Sequence, residues 1–167
     1  MNGFHTRPVE ELENILRLFG KDWALITAGD PETVNTMTAS WGGAGVLWNR
    51  PVAFCFIRPQ RHTFTLTEAN DRLSLSFLPE QYRESMRICG RLSGRDTDKF
   101  AAAGLTPAFE DGTPYIAEAR LVLLCRKLYA DDLKKAAFLL PSLLDNYTAG
   151  DFHRMYICEI EQLYERD

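Results

Sequence analysis

A chain of 167 residues, 46% of them hydrophobic and 25% charged, has the length and composition of one globular domain spanning residues 1–167, able to bury roughly two thirds of its unfolded surface. A formal charge of -4 and a pI near 5.4 give no general attraction for phosphate backbones, which sets nucleic acid aside as a partner. No run is long enough to span a bilayer and no basic, apolar leader opens the sequence, so a cytoplasmic protein without membrane attachment is expected. Cys55, Cys89, Cys125 and Cys158 are widely spaced with no CxxC pair, and are expected as core thiols and not as a redox dithiol or zinc knuckle.

Along the chain, Pro8 at a first helical position, acids behind it, apolar Leu12, Ile15, Leu16 and Phe19, and Gly20 as a stop predict an amphipathic helix. "DWALITAG" predicts a buried strand, and "GDPETVN" a turn leading into "NTMTASWGG", Asn35 to Gly43. "VLWNRPVAFCFIRP" predicts a strand, a tight turn at Asn49 to Pro51 and a second buried strand ending at Pro59. "HTFTLTEAN" follows as a short helix that Thr63 or Thr65 can cap. "RLSLSFLP" alternates as a half-buried strand, "EQYRESMRICG" is helical with Gly90 as terminator, and "DTDKFAAAG" is a capped helical turn closed by Gly104. Two long strands are expected at Ala117 to Tyr129 and Arg154 to Tyr164, with Pro141 splitting the helical pattern between them and Gly150 ending it.

These strands have too few helices between them for a doubly wound parallel sheet, and no GxGxxG opens a dinucleotide fold. The expected class is therefore mainly β with small helices. An antiparallel sheet, curled into a closed or split barrel, disposes of edges that would otherwise be exposed.

Three stretches invite a functional reading. In "NTMTASWGG", Thr36, Thr38 and Ser40 share one side of an extended segment. A solvent-facing strand accounts for them; so does a strand end reading the polar edge of a flat heteroaromatic ligand through hydroxyls and backbone groups, with Trp41 as a wall. In "RPQRHT", Arg58 and Arg61 precede a helix start at Thr63, which is either a basic loop with an ordinary cap or a phosphate site. In "SGRDTDKF", Ser93, Arg95 and Lys99 sit at a turn and helix start, where Asp96 or Thr97 can serve as cap. Together the three point to a phosphorylated heteroaromatic cofactor. Only three histidines, no HExxH and no GxSxG are present, so no metal site and no hydrolytic triad are expected.

The segments "NTMTASWGGAGVLWNRPVAFCFIRPQRHT", "SLSFLP", "CGRLSGRDTDKFAAAGL" and "GDFHRMYICEIE", in that order, resemble successive motifs of the flavin reductase-like, FMN-binding split-barrel family, especially its flavoredoxin-type branch. The resemblance runs from about Trp23 to Tyr164. It implies a six-stranded antiparallel split β-barrel, a homodimer, and FMN held noncovalently near the dimer interface. By position it implies that Asn35, Thr36, Met37, Thr38, Ala39, Ser40 and Trp41 lie along the isoalloxazine ring, with Arg58, Arg61 and Thr63 toward the phosphate or ribityl chain. Ser93, Arg95, Lys99 and Phe100 approach from another side, and Trp48 closes the pocket from the same or the partner subunit. His153 corresponds to a family histidine associated with nicotinamide, while from the residues alone it reads as a strand-start position with no catalytic part. The family's Gly-Asp-His run is interrupted here by Phe152, and Cys158 stands where many relatives have Gly.

The implied chemistry is hydride transfer from NADH or NADPH to bound FMN. Two other readings stay open: a flavoredoxin-type carrier reduced by a protein electron partner, and a binding or storage module without redox turnover.

Overall fold

The structure is a computed structural model describing residues 1 and 3–166. The N-terminal region departs most from expectation. Phe4–Arg7 forms strand β1, antiparallel to the chain's other end, with Phe4 opposite Arg166 and Arg7 opposite Leu163. The expected helix breaks into a 3-10 turn at Val9–Glu11 and a short α1, Ile15–Arg17, continuing as a π-helical turn at Leu18–Asp22. Asn14 interrupts it with φ of 56°, a left-handed conformation that Asn tolerates better than most residues. Leu18 and Phe19 are buried and Leu12 and Ile15 pack on the core, while Leu16 points outward.

The remaining strands are β2 (Ala24–Gly29), β3 (Val34–Ala39), β4 (Gly42–Leu47), β5 (Arg50–Ile57), β6 (Arg72–Phe77), β7 (Pro107–Glu110), β8 (Thr113–Ile116), β9 (Leu121–Asp132) and β10 (Arg154–Arg166). The helices are α2 (His62–Ala69), α3 (Arg83–Arg91) and α4 (Lys99–Ala103). One eight-stranded antiparallel sheet runs β3-β2-β6-β9-β10-β5-β4, with β1 also on β10. β5 occupies the first half of β10, Arg154 to Glu159, and β1 takes the same edge farther on. This sharing, together with β4, carries the sheet past six strands. Its two ends, β3 and β4, are joined by Ser40 and Trp41 alone and do not pair, so the barrel is split and not closed.

Alternation along the strands separates two cores. Leu73, Leu75 and Phe77 of β6, Leu121, Leu123 and Cys125 of β9, and Ile26 of β2 point inside the curled sheet, joined by Cys55, Tyr156 and Cys158. All four cysteines are buried, as expected. Leu25, Val122 and Leu124 face outward, where Met86 and Cys89 of α3, Ala103 at the end of α4 and the β7-β8 hairpin cover them. β6 is thereby buried on both faces instead of one: Ser76 Oγ accepts the Ile116 N–H at 3.2 Å, and Ser74 is equally enclosed.

Several local boundaries shift for identifiable reasons. The β4-β5 turn falls on Trp48 and Asn49, both at positive φ of 53° and 56°, the geometry of a type I′ hairpin. Arg61 occupies the N-terminal boundary of α2, so Thr63 lies within the helix, not at its cap. α3 runs through Gly90 to Arg91. Asp98, not Asp96 or Thr97, caps α4 by accepting from the Phe100 and Ala101 N–H groups, and Gly104 closes it at φ of 63° as expected. Between β9 and β10 the chain makes two 3-10 turns, Lys135–Ala137 and Pro141–Tyr147, in place of a split helix.

Candidate functional site

At the junction of the sheet's two ends, β3 leads into a cleft of about 190 Å³ lined by Met37, Thr38, Ala39, Ser40, Trp41, Phe56, Arg58, Arg61 and His153. A second cleft, about 410 Å³, shares Arg58 and Arg61 with it and continues along Gln60, His62, Arg91, Leu92, Ser93 and Lys99. The second volume is within the scale of small-ligand sites, roughly 300–1,000 Å³, and the first lies below it. Neither lining includes a carboxylate. A larger cleft of about 460 Å³ lies elsewhere, beside β1 and α1. It mixes both signs of charge, and its arginines are paired: Arg7 with Glu165, Arg17 and Arg120 with Asp22.

The three sequence stretches thus meet. The tie between them is a chain of buried polar contacts. Asn35 donates to Thr63 Oγ1 at 2.9 Å, joining β3 to α2. Lys99, only 3% exposed, donates to the Thr36 carbonyl at 2.9 Å and the Cys89 carbonyl at 2.8 Å, joining α4 to β3 and α3. A Cβ added to Gly94 would stand 2.3 Å from Asn35 Oδ1, so the loop that carries Ser93 and Arg95 approaches β3 as closely as only glycine allows.

These same contacts mean that several expected ligand-facing groups are engaged within the protein. Thr36 is fully buried, its hydroxyl 3.0 Å from Thr27 Oγ1 and donating to the Ile26 carbonyl. Thr38 donates to the Met86 carbonyl while still lining the first cleft. Asn35, Thr63 and Phe100 line neither cleft; Phe100 packs against the outer core instead. Arg95 donates to the Gln60 carbonyl at 2.8 Å and braces the loop from behind. Trp48 stands at the tip of the β4-β5 hairpin, 6.5 Å from Tyr129, and lines neither cleft of its own chain.

The cations differ in how free they are. Arg58 forms an ion pair with Asp151, donates to the Asn146 carbonyl at 2.9 Å, and lies 5.3 Å from the centre of the Tyr147 ring. Among the described residues the Arg61 guanidinium makes one hydrogen bond, to the Gly90 carbonyl at 2.6 Å; burial, then the neighbouring Arg58, lowers its pKa. Burial pulls the Lys99 ammonium down to about 8. Removing water from cations that stand close together is unfavourable, and an anion between them offsets that cost.

His153 is 8% exposed, with Nδ1 2.9 Å from the Tyr147 hydroxyl. Its ring lies 5.2 Å from Trp41 and 6.5 Å from Phe56. Burial, reinforced by Arg58, holds it at about 4, so it is neutral near pH 7. Sequence reasoning passed over Phe56, Gln60, His62, Arg91, Tyr147 and Asp151. Asp151 sits beside His153 in the "GDFH" motif, but Tyr147 lies in an irregular segment with no periodicity to mark it.

Residues 16–167 match the model of the flavin reductase like domain. The chain belongs to this family. No curated protein matches it. Among solved structures, the FMN-binding domain of a flavin reductases-like enzyme from Shewanella baltica OS155 superposes with TM-score 0.73 at 16% identity, covering 99% of this chain and 78% of that one. The flavoredoxin of Methanosarcina acetivorans gives 0.69 at 19% identity over 94% and 75%. The NADH:FAD oxidoreductase of Streptomyces globisporus C-1027 gives 0.65 at 18% over 90% and 82%. At these identities the likeness establishes the flavin reductase-like split-barrel fold.

Proposed function

We propose that the chain binds FMN noncovalently in the paired clefts and acts as an NAD(P)H:flavin oxidoreductase. The observation that carries this reading is the continuity of a strand-end cleft walled by Trp41 and Phe56 with a basic, carboxylate-free cleft, joined through Arg58 and Arg61. The first suits a planar ring and the second a phosphate. When bound, the flavin supplies the hydride-accepting chemistry of the reaction with NADH or NADPH.

The protein's own part is recognition and positioning. Arg61, with Ser93 and the buried Lys99 behind it, offers positive potential for a phosphate, and Arg58 joins by exchanging part of its contact with Asp151. Met37 to Trp41 would run beside the ring, with the Ser40 hydroxyl and strand-end backbone as polar contacts. Trp41 and Phe56 keep water from the face where a nicotinamide would stack, and His153, neutral, offers a hydrogen bond there without adding charge. Purified protein with FMN and NADH or NADPH tests the reading: accelerated loss of the nicotinamide absorbance supports it, and a rate equal to the protein-free control refutes it.

A second reading, a flavoredoxin-type carrier reduced by a protein partner, is favoured by the similarity to the Methanosarcina flavoredoxin across 94% of this chain. A yellow protein that keeps FMN through gel filtration yet does not react with NAD(P)H would establish it instead. Either activity suits a cytoplasmic protein. We further propose a homodimer, because Trp48, Tyr129, Leu139, Leu140 and Leu143 leave apolar surface exposed on the hairpin tip, on β9 and on the turns after it.

A further inference from the structure

The contact between Tyr147 and His153 carries a consequence for what the cleft can recognise. Each residue is 8% exposed, and the tyrosine hydroxyl lies 2.9 Å from His153 Nδ1. Tyr147 has little freedom. Its ring stacks on Phe152 with centres 4.8 Å apart and planes 18° from parallel, meets Phe138 edge-on at 5.7 Å, and lies beneath the Arg58 guanidinium. The histidine backbone is fixed as well, its carbonyl accepting the Leu133 N–H at 2.9 Å. Nδ1 is therefore committed to Tyr147. Nε2 has no partner among the described residues and is not among their fully enclosed unpaired atoms, and the ring lines the first cleft.

The direction of that hydrogen bond follows from the two groups' chemistry. A phenol is a better donor than a neutral imidazole N–H, and an unprotonated imidazole nitrogen is a better acceptor than a phenol oxygen. The hydrogen therefore stays on Tyr147 and points at Nδ1, leaving the imidazole's own hydrogen on Nε2. The ring's surroundings keep it unprotonated on balance: burial, the largest influence, acts together with Arg58 and Arg61 against a positive charge, and Asp151 alone favours one.

We propose that Tyr147 is a positioning residue that holds His153 as a neutral imidazole whose Nε2–H donates into the cleft, selecting a ligand edge that carries an amide carbonyl oxygen. Under the reductase reading, on which the occupant's identity rests, that oxygen is the carboxamide of the nicotinamide. His153 is then a hydrogen-bond donor and not a proton shuttle, and the segment Pro141–Tyr147 becomes part of the recognition apparatus although it does not line the cleft.

The test uses the full-length chain, Tyr147→Phe, and His153→Gln, whose side-chain amide retains a donor near the Nε2 position without needing Tyr147. In the ¹⁵N-labelled wild type near neutral pH, imidazole nitrogen shifts should show His153 with an acceptor-type Nδ1 and a hydrogen on Nε2. In Tyr147→Phe they should move toward a mixture of tautomers. The KM for NAD(P)H should rise about tenfold in Tyr147→Phe, the expected size for a misplaced hydrogen bond, with FMN affinity held within about twofold. In the His153→Gln background the same change should add nothing. A hydrogen on Nδ1 in the wild type, an unchanged KM in Tyr147→Phe, or an equal loss in both backgrounds overturns the assignment. If the wild type does not oxidise NAD(P)H at all, the reductase reading alone fails, and the nitrogen shifts of wild type and Tyr147→Phe still decide the role of Tyr147.

Discussion

Arg61, like Arg58, lines both clefts, and among the described residues its guanidinium makes a single hydrogen bond, to the Gly90 carbonyl. Arg61→Ala should weaken FMN binding by about ten- to a hundredfold, the range expected for a charge-assisted contact to phosphate, with a melting temperature close to that of the wild type; flavin fluorescence titration and a thermal scan check both. His153 gives a prediction about pH. Held at about 4 when folded against an ordinary 6.5, it remains unprotonated where the unfolded chain takes up a proton. Stability from this group is therefore present above 6.5 and lost as pH falls toward 4. His153→Gln should flatten that part of the profile, measured by urea unfolding across the range. Residue identity was legible where chemistry is rare: Arg58, Arg61, Trp41 and His153 all line the first cleft. It was less legible where a common residue has internal partners: Thr36 and Thr63 are engaged within the protein, and Lys99 holds two backbone carbonyls while also lining the second cleft.

At the level of elements, β3 and the loop after α3 are joined through Asn35 and Gly94. Gly94→Ala would drive Cβ into the Asn35 carboxamide, 2.3 Å from Oδ1, so either Asn35 loses Thr63 or the loop lifts from β3. We expect a loss of about 1–3 kcal/mol, the usual cost of overpacking, and weaker FMN binding; chemical denaturation and a flavin titration read the two effects separately. Strands β2, β5, β6 and β10 were legible because their apolar periodicity is long and bounded by turn residues. The N-terminal helix misled because a helical apolar spacing over Leu12 to Phe19 is also satisfied by irregular turns that bury only some of those positions. β7 and β8 were missed for being four residues each, too short to show a period.

For the molecule as a whole, antiparallel topology followed from short strands with hairpin connections, whereas the count of eight did not, because β1 joins residues from opposite ends of the sequence. Local pattern carries no information about such a pairing. The exposed Leu139 and Leu140, 98% and 57% accessible, lead us to expect a dimer by light scattering and a shift toward monomer when both are replaced by Glu; a wild-type monomer would contradict this.

Trp41 belongs to the two-residue link between the unpaired sheet ends and lines the first cleft at 47% exposure. An indole in that place is an optical reporter as well as a wall. Flavin arriving beside it should quench its emission, and Trp41→Phe should remove the contribution of this indole, one of three tryptophans in the chain, to that signal. Cofactor occupancy could then be followed in the intact protein without a label.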